Sequence, residues 1–226
     1  MQHNNWTHQI DYAGLTQEII QALRARVSPD IFTNDQALIQ YVTSWTDKLS
    51  AIDDSTKKDR MMRPNHEYYG IDHFYDSAKN LKMFFDIEKL LSNESTFKEL
   101  AKLVPRETFY DEANKYFSYN ETLPKQKYHH HEILPIIAVE WFSTDGKFTV
   151  IDGNNRLNSQ DYQALEAIPA YVFFFDDAVK FYKSIFLSDW DAAFYFMHYE
   201  TFNIVNSDKQ TAKKLLENPL YTTFSN

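Results

Sequence analysis

Asp152-Gly153-Asn154-Asn155-Arg156 places a carboxylate, a residue without a side chain, two amides and a guanidinium side by side, in a chain with only four glycines. Gly153 lets a ligand approach the backbone closely. Arg156 offers a planar fork of donors that suits phosphate. Asp152 can ligate Mg²⁺ or take a proton. Asn154 and Asn155 can orient a ligand without adding charge. If a helix starts here, its first N–H groups lack intrahelical partners and its dipole adds positive potential at the same place. These residues suit phosphate binding, with Asp152 as the catalytic and metal-binding carboxylate. They also suit a turn or a cap with no ligand at all. On local chemistry both readings stand.

Such a site needs a strand before it and a helix after it. Residues 133–142 are short-patterned and rich in β-branched and aromatic types, which predicts a strand. Asp145-Gly146 predicts a hairpin turn, and 148–151 the returning strand. A helix is predicted over about 155–166 and a third strand over 169–175. Glu140 lies on the strand opposite the motif, as a candidate second catalytic carboxylate or a solvent-facing strand residue.

The flanks read as helices. Leu15, Ile19, Ile20, Leu23 and Val27 recur at helical spacing, as do Leu38, Tyr41, Val42, Trp45 and Leu49 behind the capping candidates Thr33 and Asn34. A longer pattern runs from about Tyr68 to Leu91. Thr96 with Glu99 fits a capping box, and Phe109, Ala113, Tyr116 and Phe117 suggest another helix before a polar loop at 120–131. Asp176 and Asp177 suit a cap. Val179, Tyr182 and Phe186 share a face, Trp190, Phe194 and Met197 continue in an aromatic helix, and Ser207 with Gln210 resembles a last capping box. The expectation is an α+β fold: a helical N-terminal region at 1–104, a core at 105–175, and a helical C-terminal region at 176–226 packed on that core.

Composition narrows the function classes. The net charge of −9 opposes a tight, sequence-independent DNA binder. With no cysteine, disulfides, thiolate catalysis and sulfur-ligated zinc are excluded. The first residues lack the apolar run of a signal peptide. The longest uncharged apolar run, 167–175, is too short to span a bilayer. A cytoplasmic protein with no membrane segment is expected. His129, His130 and His131 read as a polar loop, since neighbours on an extended chain point apart. His66, His73 and Asp76 at helical spacing allow a metal site but better fit an exposed helix face. Lys57, Lys58, Arg60 and Arg63 read as a solvated linker. The aromatic helix around Phe194 is either core or a surface for a protein partner.

Residues 135–172 resemble the ParB/sulfiredoxin superfamily. The matching features are "PIIAVEW", "STDGK", "FTVIDGNNR", "LNSQDYQALEA" and "IPAYVFF". The resemblance covers about forty residues and implies a small mixed-sheet core. Sulfiredoxins carry a catalytic cysteine where Asn154 stands, so sulfinic-acid reduction is not implied. Partition-type members use CTP through a Gly-Glu-Arg-Arg motif, of which only Arg156 matches. The Asp-Gly form is most similar to the branch of ATP- or ADP-dependent serine kinases with "DGHTR". That branch implies a nucleotide (ATP, ADP or CTP) with Mg²⁺, Asp152 as metal or catalytic carboxylate, and Gly153, Asn154, Asn155 and Arg156 around the phosphates. The expected function is nucleotide-dependent phosphoryl transfer or nucleotide hydrolysis. The alternatives are a non-catalytic nucleotide-sensing or protein-interaction module, then a ParB-like DNA-associated protein or nuclease. Fic-type AMP transferases also contain "DGN-x-R", but they need a histidine where this chain has Phe148.

Overall fold

Runs of β-branched and other apolar residues, buried on consecutive positions at 136–139 and 148–151, mark the central strands of this protein. The computed structural model describes residues 9–56, 66–109, 133–141, 148–157 and 159–224. The chain divides into two compact units, 1–66 with 70–84 and 186–226, and 67–69 with 85–185.

The first unit is built on helices with buried apolar faces. Strand β1 (Gln9–Ile10) leads into α1 (Tyr12–Arg26), which Asp11 caps by accepting the Gly14 N–H at 3.0 Å. Leu15, Ile19, Ile20 and Leu23 form its buried stripe. In α2 (Asp35–Thr56) the cap is Asn34, which accepts from Ala37 N–H at 2.8 Å. The aromatic segment forms α8 (Asp189–Asn206), capped by Ser188, and Trp190, Phe194, Phe196 and Met197 are buried in it. In α9 (Lys209–Glu217) the cap lies one residue beyond the expected Ser207: the Asp208 carboxylate accepts from Gln210 and Thr211 N–H groups.

A fully buried carboxylate ties this unit together. Glu200 on α8 accepts from Tyr41 Oη at 2.6 Å, Trp45 Nε1 at 2.8 Å and the Leu220 N–H at 2.7 Å. Burial pushes its carboxyl above the usual range. Glu200→Gln places an amide donor against one of these three donors and lowers stability at pH 7 by about 1–2 kcal/mol, read by urea denaturation. An unchanged midpoint would show that the network contributes nothing.

Residues 68–86 differ from the expected helix. They form a hairpin of β2 (Tyr68–Tyr75) and β3 (Ala78–Asp86), in a sheet ordered β1-β3-β2. Ile71, Leu81, Met83 and Phe85 are almost fully buried, the last three at period 2. Ile71, Phe74, Tyr75, Ala78, Leu81 and Phe85 also fit i, i+3 and i+4 spacing, so periodicity alone does not separate the two forms. His73 accordingly sits on a strand, and the two-turn helical spacing from His66 does not exist.

In the second unit a mixed sheet has the order β4 (Ala101–Pro105), β7 (Ala167–Phe173), β5 (Ile136–Glu140), β6 (Phe148–Asp152). The β4–β7 and β5–β6 pairs are antiparallel, and β5–β7 is parallel. Its three last strands are those the sequence predicts. One face carries the core of Ile136, Ala138, Phe148, Val150, Ile168, Ala170 and Val172, closed by Leu157 and Tyr162. Against the other, Phe97 meets Phe173 edge-on at 5.1 Å. Phe97 belongs to a 3₁₀ segment, Glu94–Leu100, with α3 (Ile87–Ser92) before it. The segment starts at Glu94 with Asn93 at its N-cap, so Thr96, expected to open the helix, lies inside it. The expected helix at 155–166 is broken into α4 (Asn154–Leu157) and α5 (Gln160–Gln163), because Ser159 Oγ accepts the Tyr162 N–H at 3.4 Å and starts a new turn. Two more short helices follow, α6 (Phe175–Lys180) and α7 (Tyr182–Ile185).

The fold is α+β. The predicted helix at 109–117 falls, beyond its first residue, outside the described residues. So do the loop at 120–131, the Asp145-Gly146 turn, the His129–His131 run and the basic cluster at 57–63. Among the described residues no helix is long and apolar enough to cross a membrane.

Candidate functional site

Strand β6 ends at Asp152, Gly153 turns the chain, and α4 begins at Asn154. The turn needs glycine for two reasons. Its φ is 91°, and a Cβ there would lie 2.6 Å from Ile136 Cγ2. Gly153 O accepts the Leu157 N–H at 2.8 Å and starts α4. The backbone alone therefore accounts for this glycine.

Asp152 and Arg156 meet. Arg156 Nη2 lies 2.5 Å from Asp152 Oδ2, and both side chains are largely buried, at 18% and 13% exposure. Arg156 Nη1 donates to the Pro135 carbonyl at 2.9 Å. The guanidinium thus bridges the end of β6 and the segment entering β5. Asn154 Nδ2 donates back to Val150 O at 3.1 Å. Asn155 lies in the first turn of α4, and its side chain lies outside what the structure describes.

Glu140 is not brought to this joint. It pairs in register with Phe148, whereas Asp152 pairs with Ile137. Three residues of strand separate the two carboxylates, roughly 10 Å. Glu140 Oε2 accepts the Phe175 N–H at 2.9 Å and so caps α6. That bond gives it a structural role at the far end of β5. Asp177 completes the same turn by accepting the Phe174 N–H at 3.2 Å.

Sequence reasoning missed Tyr162. Its ring is fully buried in the sheet core, and its hydroxyl donates to the Leu134 carbonyl. Burial, ahead of the neighbouring charges, raises its phenol pKa. Arg106, directly after β4, donates to the Tyr162 carbonyl and ties the end of that strand to α5. A continuous helix would rotate residue 162 about 240° from residue 156 and leave it roughly 9 Å away along the axis. Only the break at Ser159 folds Tyr162 back beside Arg156. No spacing rule applied to the sequence carries that information.

Among the described residues, no group of three His, Asp or Glu side chains is placed to hold a metal ion. Asp152 is the carboxylate of the joint with Mg²⁺-ligating chemistry, and in this structure its Oδ2 is paired with Arg156.

Together these features define an α+β protein with a strand–glycine–helix joint that carries a partly buried Asp–Arg pair. Searches of protein-family models, curated proteins and solved structures find no match to this chain.

Proposed function

We propose that the β6–α4 joint binds the phosphates of a nucleotide, and that the protein is a nucleotide-dependent phosphoryl-transfer or nucleotide-hydrolysing enzyme. The observation that carries this reading is the Arg156 fork, held at both Nη atoms beside a glycine turn. Incoming phosphate oxygens compete with Asp152 for Nη2. Arg156 then neutralises phosphate, and the released Asp152 carboxylate is available to Mg²⁺ or to a proton on the acceptor. Catalysis by such a site rests on positioning and charge. The resemblance to the ParB/sulfiredoxin superfamily points the same way.

A second reading is a non-catalytic nucleotide-sensing or protein-interaction module. It is favoured by the position of Glu140, which caps α6 and leaves Asp152 as the carboxylate of the joint.

Titration with ATP, ADP and CTP, with and without Mg²⁺, tests both. At a hundredfold excess over Kd, a bound nucleotide stabilises the fold by about 2.7 kcal/mol and raises Tm. In Arg156→Ala that ligand-induced shift disappears, whatever the variant's own Tm. Binding with release of phosphate supports the enzyme, and binding without turnover supports the sensor. No Tm shift with any of the three nucleotides sinks the enzyme and the nucleotide sensor and leaves the protein-interaction module.

A further inference from the structure

We infer that Tyr162 is a positioning residue for the Arg156 site: it fixes the strap at 133–135 on which the guanidinium rests. This rests on the phosphate-binding reading above. Two consecutive carbonyls of the strap are gripped, Leu134 O by Tyr162 Oη and Pro135 O by Arg156 Nη1 at 2.9 Å. The strap has little apolar anchoring of its own, since Ile133 and Leu134 are 46% and 45% exposed. Tyr162, in contrast, is fully buried against Ile136, Val150 and Leu157. The rigid body in this arrangement is therefore the tyrosine, and the strap takes its position from it.

This matters at the moment a phosphate arrives. Arg156 must give up Asp152 with one nitrogen while the other keeps its hold on Pro135 O. If the strap is free to drift, the guanidinium loses its second support and pays rotamer entropy to re-form the fork. With Leu134 O held by Tyr162, Pro135 O stays in place and Arg156 needs only one exchange of partners.

The test measures Kd for ATP–Mg²⁺ and CTP–Mg²⁺ in the wild type, Tyr162→Phe, Arg156→Lys and the double variant, at a temperature where each is folded by near-UV circular dichroism. Tyr162→Phe is expected to weaken binding about tenfold, the size of one hydrogen bond's positioning effect. Arg156→Lys removes the fork, so adding Tyr162→Phe to it should change Kd no further. A purely structural tyrosine would weaken both backgrounds equally, and that result overturns the inference, as does an unchanged Kd in Tyr162→Phe. Leu134→Gly loosens the strap from its exposed side without touching the core. It should reproduce the loss, and it decides the matter if Tyr162→Phe does not fold. A wild type that binds neither nucleotide refutes the phosphate reading itself, whereas binding that ignores Tyr162 and the strap refutes only this inference.

Discussion

Acidification from pH 7 to pH 4 should cost the protein roughly 3 kcal/mol of folding stability through His198 alone. His198 on α8 is held in one tautomer. Its Nδ1–H donates to Phe194 O at 2.8 Å, since a carbonyl can only accept, and Nε2 therefore accepts from Tyr75 Oη at 2.5 Å. Its ring centroid lies 4.2 Å from Phe194 and 5.0 Å from His73. Trp190 stacks on Phe194 at 4.8 Å. In this aromatic surrounding, burial pushes His198 down to about 4, and it pushes His73 well below the usual histidine range, with the neighbouring His198 adding to the effect. The unfolded chain takes up these protons near pH 6.5, and the folded protein does so only near pH 4 for His198. Between those values the unfolded state holds more protons. Stability is fully present above pH 6.5 and is lost as pH falls toward 4. His73 contributes with the same sign.

Glu200 acts in the opposite direction over an overlapping range. Its raised carboxyl takes a proton in the folded state first, so its contribution grows as pH falls through the folded pKa. In Glu200→Gln the acid loss should therefore be steeper than in the wild type. In His198→Gln it should be shallower by most of the estimated 3 kcal/mol. Urea denaturation at half-unit intervals from pH 7.5 to pH 4 reads all three curves. A wild-type curve that is flat between pH 6.5 and 4, with a Glu200→Gln curve that is also flat, would show that the two imidazoles titrate as they do in water.

The contrast between these histidines and the β6–α4 joint explains what the sequence made legible. Strands β5 and β6 were readable because Ile136–Val139 and Val150–Ile151 are β-branched or small and uninterrupted, and because Gly153 ends β6; β7 was readable from its apolar run, although it starts two residues before Pro169. The hairpin at 68–86 was not, since Ile71, Phe85 and their neighbours satisfy both a helical and a strand period. With the hairpin went the setting of His73, which meets His198 from a position 125 residues earlier in the chain. Sequence separation of that kind leaves no local trace. In the candidate site, the residue types were legible and their mutual use was not. Asp152 and Arg156 stand at i and i+4, a spacing at which opposite charges pair. That spacing predicts an internal ion pair as readily as two groups facing a ligand. Glu140 was a candidate because it lies on the neighbouring strand, but register placed it at the far end of β5.

Gly153→Ala should destabilise the protein by about 3 kcal/mol with no nucleotide present. Two separate costs add. A residue with a side chain at φ 91° is strained by roughly 1–3 kcal/mol. The new Cβ would stand 2.6 Å from Ile136 Cγ2 and 3.0 Å from Ile136 Cβ, and a branched, fully buried side chain at the start of β5 cannot yield cheaply, so overpacking adds roughly 1–3 kcal/mol. The same Cβ would lie 3.1 Å from Arg156 Nη2 and would press on the ion pair. Gly153→Asn separates the terms. Asparagine tolerates positive φ better than alanine, yet it carries the same Cβ, so it should recover only the strain and remain less stable than the wild type. Denaturation curves of the two variants, measured without ligand, check this. If Gly153→Ala proved as stable as the wild type and lost only nucleotide binding, the glycine would be there for the ligand and not for the turn. The expected result assigns it to the turn: the glycine lets β6 pass Ile136 and start α4, and phosphate recognition falls to Arg156, whose placement that turn makes possible.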